Sequence, residues 1–174
     1  MASASGRVFR QRPGRGARHK QVEWKVMQVG VIGTGVLGRH HARLYSACAQ
    51  ADLVGVFDVD RELAGEVAAQ TGAKAFASIE ALARACTALS VVVPAHLHHR
   101  IALPLLREGK HLLVEKPVAS TVAEGRELVA AAEEQGVVLA VGHVERFSPA
   151  LAAADELPGP IRYLAAHRCC PFPP

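Results

Sequence analysis

The run VGVIGTGVLG sets Gly33, Gly35 and Gly38 in a Gly-x-Gly-x-x-Gly spacing, directly after an apolar stretch. Gly33 allows a tight turn, Gly35 lets the backbone approach a pyrophosphate, and Gly38 lets a helix pack closely on its strand. Thr34, Val36 and Leu37 belong to the same turn and opening helical residues, where free N–H groups and a partial positive charge suit phosphate oxygens. A glycine-rich turn without a ligand is the alternative. Asp58 ends the next apolar run, DLVGVFD, twenty residues after Gly38. A carboxylate there accepts hydrogen bonds from both ribose hydroxyls of an adenosine and repels a 2′-phosphate. No arginine follows directly, since Arg61 comes three residues later. Together these residues point to NAD over NADP, with a simple turn residue as the competing reading of Asp58.

A second candidate lies in LLVEKP, where Glu115 and Lys116 close an apolar run before Pro117. Proline favours an extended backbone at the residue before it. Ligands of open parallel sheets sit just beyond the carboxyl ends of the strands. A lysine in that place can exchange a proton with a substrate hydroxyl; an ordinary Glu115–Lys116 ion pair is the competing reading. His96, His98 and His99 fall close together, but their spacing lacks metal-ligand logic and no acid is near in sequence, so no metal is expected. Cys48, Cys86, Cys169 and Cys170 show neither Cys-x-x-Cys pairing nor zinc spacing. They read as free thiols in a reducing compartment, which suits a cytoplasmic protein.

The elements that position these residues alternate regularly. Apolar runs predict strands at 26–32, 52–58, 73–76, 88–93, 111–115 and 137–141. Between them lie predicted helices at 37–50, 61–70, 78–84 (capped by Ser78), 96–108 and 121–135. Pro104 should kink or shorten the fourth of these. Thr121 with Glu124 forms a capping box, and Gly136 suits the C-terminal end of that helix. Strand–helix alternation at this spacing implies parallel strands joined by right-handed crossovers. After Ser148 the pattern changes to a short helix at 149–157 and a strand at 161–167.

The 174 residues are 50% apolar and 21% charged, the balance of a globular domain. Residues 1–26 hold seven Lys/Arg against one acid, whereas 27–174 hold thirteen against fifteen, so the net +4 belongs to the first segment. The body therefore offers no basic face for specific nucleic-acid binding. No apolar run reaches the ~18 residues of a membrane span. Residues 1–25 read as a disordered basic tail, with a transit peptide or a nucleic-acid or membrane attachment segment as alternatives.

GVIGTGVLGRHHA, then VVVPAHLHHRIA, then EGKHLLVEKP, in this order and spacing, resemble the glucose–fructose oxidoreductase / inositol dehydrogenase (Gfo/Idh/MocA) family. The resemblance implies an α/β fold: a doubly wound parallel-sheet Rossmann domain over 26–147, with only the start of a second α+β domain over 148–174. It implies an NAD-dependent oxidoreductase that transfers a hydride between nicotinamide and a hydroxyl carbon of a sugar, sugar nucleotide or cyclitol. Lys116 would contact substrate and nicotinamide and assist proton transfer, with Pro94, His98 and Glu115 on the cofactor side; local packing is the alternative for His98. Val93 and Ala95 stand where threonines are usual. The HVERF segment further resembles members acting on UDP-N-acetylamino sugars, which would bring Arg146 and Arg168 to a diphosphate or acidic sugar; an interdomain salt bridge is the alternative for Arg146. The family's second domain carries an Asp-x-x-x-His element that does not occur in these residues, so little turnover is expected of the chain as given. A sugar-type substrate and, at full length, a homo-oligomer are implied. A non-catalytic NAD-binding module, or a subunit dependent on a partner, is the alternative.

Overall fold

The structure is a computed structural model that describes residues 26–154 and Tyr163. The basic tail at 1–25, the strand expected at 161–167, and Arg168 lie outside the described residues. Six strands alternate with helices: β1 (Met27–Ile32), α1 (Val36–Ser46), β2 (Ala51–Phe57), α2 (Arg61–Thr71), β3 (Lys74–Ala75), α3 (Ile79–Ala85), β4 (Ala88–Val91), α4 (His98–Arg107), β5 (His111–Val114), α5 (Val122–Gln135) and β6 (Leu139–Val141). A short helix, α6 (Pro149–Ala154), follows. All pairings are parallel, in the order β3-β2-β1-β4-β5-β6.

Successive residues of a strand face opposite sides of the sheet, and both sides are covered. Val29, Val31 and Val56 pack with Ala42 of α1 and Ala64 and Val67 of α2. Ile32, Leu89 and Leu112 pack with Leu82 of α3, Leu106 of α4 and Leu128 of α5. Each fully buried leucine contributes roughly 1.5–3 kcal/mol by leaving water. The helices start where side chains satisfy their free amides. Asp60 accepts from Glu62 N and Leu63 N, Ser78 accepts from Ala81 N, and Thr121 and Glu124 form the reciprocal capping box.

Two helices depart from their expected bounds. The first helix ends at Ser46 rather than 50, because the chain must turn at 47–50 to enter β2 at Ala51. The fourth opens with a 3-10 turn at Ala95–Leu97. It then continues past Pro104 to Arg107. Pro104 is exposed, so the hydrogen bond it cannot donate is missing on the solvent side, where water reaches the carbonyl four residues back. The last helix is described as far as Ala154.

The strand order reverses on either side of β1: chain connections run outward through β2 and β3, then cross to β4. The loops at the carboxyl ends of β1, β2, β4 and β5 therefore meet at one switch point. Those loops carry the residues singled out by their chemistry.

Candidate cofactor-binding site

The turn after β1 holds Gly33 at φ +93°, a conformation that disfavours any side chain. Its N–H donates to the Phe57 carbonyl at 2.8 Å, tying the turn to the end of β2. At Gly38 a Cβ would run into the Gly33 carbonyl, so helix α1 can lie this close to the turn only with glycine there. Gly35 is different. A Cβ at Gly35 would meet nothing within 4 Å, so no packing within the protein explains its glycine. That open space lies beside the first free amides of α1, where an anion could approach the backbone. Val36 and Leu37 follow on exposed surface.

Asp58 is anchored across this turn. Its Oδ2 accepts from the Thr34 N–H at 2.6 Å and from the Thr34 hydroxyl at 3.0 Å, while Oδ1 accepts from Asp60 N at 3.0 Å. Burial acts to raise its pKa, but the donors on Thr34, Asp60 and Val59 outweigh it and hold the carboxyl below its ordinary value. A stable anion therefore faces the cleft. That cleft, of about 350 Å³, is lined by Gly33, Gly35, Asp58, Val92, Pro94 and Ile101, among others, and also by Arg100. Its walls are apolar, with one carboxylate and one guanidinium in its lining. An apolar wall for a base and a carboxylate able to accept from ribose hydroxyls lie here beside the open turn at Gly35, so the residues fit NAD.

The Glu-Lys-Pro loop follows β5, and its Lys116–Pro117 peptide bond is cis. Glu115 does not pair with the Lys116 side chain. Its carboxylate is buried, with 6% exposure. It accepts from His41 Nε2 at 3.2 Å through Oε1, and from the Lys116 backbone N–H at 3.2 Å through Oε2. His41 Nδ1 lies 3.2 Å from the Ser90 hydroxyl, which lies 2.8 Å from the Tyr45 hydroxyl. One assignment satisfies all four groups: Tyr45 donates to Ser90, Ser90 to His41 Nδ1, and His41 Nε2–H to Glu115. Gly142 of the neighbouring loop leaves room for that carboxylate, because a Cβ there would run into it. Lys116 itself is exposed, and its side chain makes no hydrogen bond or ion pair among the described residues.

His98 lies beneath these loops with 1% exposure. Its Nδ1 is 2.8 Å from the Pro117 carbonyl and its Nε2 is 2.8 Å from the Val93 carbonyl. The ring thus spans the two loops instead of facing the cleft, and Pro94 reaches the cleft wall beside it. The histidine group does meet an acid in three dimensions: His99 Nε2 lies 2.9 Å from Glu127 of α5. Among the described residues no cluster of three or more His, Cys, Asp or Glu is placed to hold a metal ion. Arg146 is exposed in the 3-10 turn Val144–Phe147 after β6.

Sequence reasoning missed His41, Ser90, Tyr45 and Arg100. Arg100 had a signal: Leu97, Arg100 and Ile101 fall at i, i+3 and i+4, so they share one helical face. The His41–Ser90–Tyr45 chain had none, since it joins α1 to β4 and β5 across the sheet.

The family model described as an oxidoreductase family with an NAD-binding Rossmann fold matches residues 27–143. UDP-N-acetylglucosamine 3-dehydrogenase from Acidithiobacillus ferrooxidans is 42% identical over 149 residues, which is 85% of this chain and 47% of that protein. Its solved structure superposes with a TM-score of 0.72 at 41% identity, over 75% of this chain and 42% of that one. Inositol 2-dehydrogenase from Rubrobacter xylanophilus is 37% identical over 74% of this chain and 38% of that protein. GenD2 from gentamicin A biosynthesis, solved in complex with NAD, superposes with a TM-score of 0.74 at 30% identity, over 81% of this chain and 41% of that one. The chain thus spans less than half the length of these relatives. The glycine turn at Gly33–Gly38, Asp58 and the Glu-Lys-Pro loop all fall within the matched region, and the chain belongs to the Gfo/Idh/MocA oxidoreductase family.

Proposed function

We propose that this chain supplies the cofactor-binding half of an NAD-dependent oxidoreductase acting on a hydroxyl-bearing carbon of a sugar, sugar nucleotide or cyclitol. The observation that carries this reading is Asp58, held as an anion across the Gly33–Gly38 turn and lining the cleft. Gly35 and the first amides of α1 would hold the pyrophosphate on the turn that Gly33 and Thr34 shape, and Asp58 the adenosine ribose. The nicotinamide, when bound, supplies the hydride acceptor or donor. Lys116, exposed beyond β5, would take a proton from the substrate hydroxyl or return it. Glu115 fixes the Lys116 backbone from inside the protein. Arg146 and Arg168 would meet a diphosphate or acidic sugar, a substrate class that the dehydrogenase from Acidithiobacillus ferrooxidans supports by its name.

A cytoplasmic setting and a homo-oligomeric full-length enzyme complete the reading. No described helix is long and apolar enough to cross a membrane. A second reading, a binding module completed by a partner, draws on one feature. Leu44, Val144 and Phe147, exposed at 59%, 67% and 80%, rim a cavity beside His41 and Glu115. Such an apolar rim suits coverage by further protein.

Titrating the chain with NADH and NADPH, followed by nicotinamide fluorescence, tests the main reading. Saturable binding with NADH the tighter ligand is expected. No binding of either, or a clear preference for NADPH, would overturn it.

A further inference from the structure

Asp58 is the residue that meets the cofactor's ribose in the reading above, and its own partners limit how it can move. Three donors hold it: the Thr34 N–H, the Thr34 hydroxyl and the Asp60 N–H. Two of these are backbone amides, present whatever side chain stands at either position. The Thr34 hydroxyl is the one donor contributed by a side chain. Thr34 is fully buried at 0% exposure, and among the described residues its hydroxyl has Asp58 as its partner. Nothing in that environment other than the carboxylate calls for an oxygen on residue 34.

The same cleft contains a cation. Arg100 lines it from α4, is exposed, and makes no side-chain hydrogen bond or ion pair among the described residues. A dinucleotide carrying a 2′-phosphate would therefore meet attraction from Arg100 and repulsion from Asp58. Asp58 can relieve the repulsion only by swinging aside, which breaks its three hydrogen bonds. A 2′-hydroxyl asks for no such movement, because it binds the carboxylate where it already stands.

We propose that Thr34 is a specificity-determining positioning residue, whose hydroxyl locks Asp58 in the cleft and thereby sets the preference for NAD over NADP. The inference rests on the reading of this cleft as a dinucleotide site. One hydrogen bond to a charged group corresponds to roughly a tenfold to hundredfold change in an equilibrium. Removing the hydroxyl lowers the penalty for displacing Asp58 by that factor, and only the 2′-phosphate incurs the penalty. NADH affinity changes little, since Asp58 loses one anchor but regains one acceptor position on Oδ2 for the ribose. Arg100 then supplies the partner that the 2′-phosphate needs.

The test is a fluorescence titration of NADH and NADPH against the whole 174-residue chain and its T34V, T34A and T34S variants. T34V removes the hydroxyl at nearly constant volume. T34A removes it without added bulk, and far-UV circular dichroism confirms that each variant is folded. The expected result is a Kd ratio of NADPH to NADH narrowed by about tenfold in T34V and T34A. The change comes through tighter NADPH, while T34S keeps the wild-type ratio. An unchanged ratio in both hydroxyl-free variants, or a T34S ratio as narrow as theirs, overturns the role of Thr34. A wild-type chain that binds neither dinucleotide sinks the cofactor reading and this inference together. Wild-type preference for NADH beside an unmoved T34V ratio overturns the inference alone.

Discussion

Replacing Asp58 with asparagine removes one charge while keeping the shape of the side chain. In the structure the carboxylate accepts from Thr34 N at 2.6 Å, Thr34 Oγ1 at 3.0 Å and Asp60 N at 3.0 Å. An amide has a single oxygen, so one side of the group must turn an NH2 toward an N–H that needs an acceptor. At least one bond is lost, and the remainder fall from the charge-assisted range of about 1.5–3 kcal/mol toward about 1 kcal/mol each. The site is half-open to water, which replaces part of the loss, so D58N should destabilise the chain by about 2 kcal/mol at neutral pH. In a chain of this length that lowers the Tm by about 4–8 °C. Because the folded-state pKa of Asp58 lies below the ordinary 3.8, its stabilisation is complete above 3.8 and disappears as the pH falls through the lower folded value. Thermal melts of wild type and D58N followed by circular dichroism should therefore show a gap at pH 7 that closes below about pH 3.8. Equal Tm values at neutral pH, or a gap undiminished in acid, would refute the reasoning.

Three further outcomes follow from named contacts. G38A, whose methyl would run into the Gly33 carbonyl, should cost about 3 kcal/mol of stability in urea unfolding. G35A, whose methyl meets no protein atom, should stay within about 1 kcal/mol of wild type yet bind NADH more weakly. Equal destabilisation by both would contradict the assignment of Gly35 to the ligand. H41A leaves the buried Glu115 carboxylate without its side-chain partner and should cost about 3 kcal/mol. H41A/E115Q should cost less than the two single changes combined, and strict additivity would show the pair to be uncoupled. Burial pushes the Cys86 thiol up to about 11, whereas Cys48 is exposed. Alkylation at pH 8 mapped by peptide mass spectrometry should mark Cys48 in the native chain and Cys86 only after denaturation.

Much of this architecture is legible in the sequence. Buried parallel strands are continuous apolar runs, and Gly33, Gly38, Gly72 and Gly136 mark places where backbone geometry or close approach excludes other residues. The capping box at Thr121 and Glu124 is a local device, complete within four residues, and it stands as expected. The positions of Gly35 and Asp58 were legible for the same reason: one turn and one strand end determine them. What could not be read were interactions between distant segments. Glu115 beside Lys116 suggests an ion pair along the chain, yet the carboxylate is claimed by His41, 74 residues earlier. The family resemblance puts His98 on the cofactor side, with local packing as the alternative. Only the packing of α4 against the loop after β5 reveals two carbonyls as its neighbours. Pro104 reads as a helix breaker, and its position on the solvent side of α4 removes most of its penalty.

The imidazole of His98 has a mechanical consequence. Its two ring nitrogens lie 2.8 Å from the carbonyl of Val93 and from the carbonyl of Pro117, on either side of one flat ring. The ring fills the space between the segment after β4 and the segment after β5, so the two loops share one buried side chain as a common wall. A molecule seated against Pro94 therefore rests on the same side chain that backs the carbonyl next to Lys116.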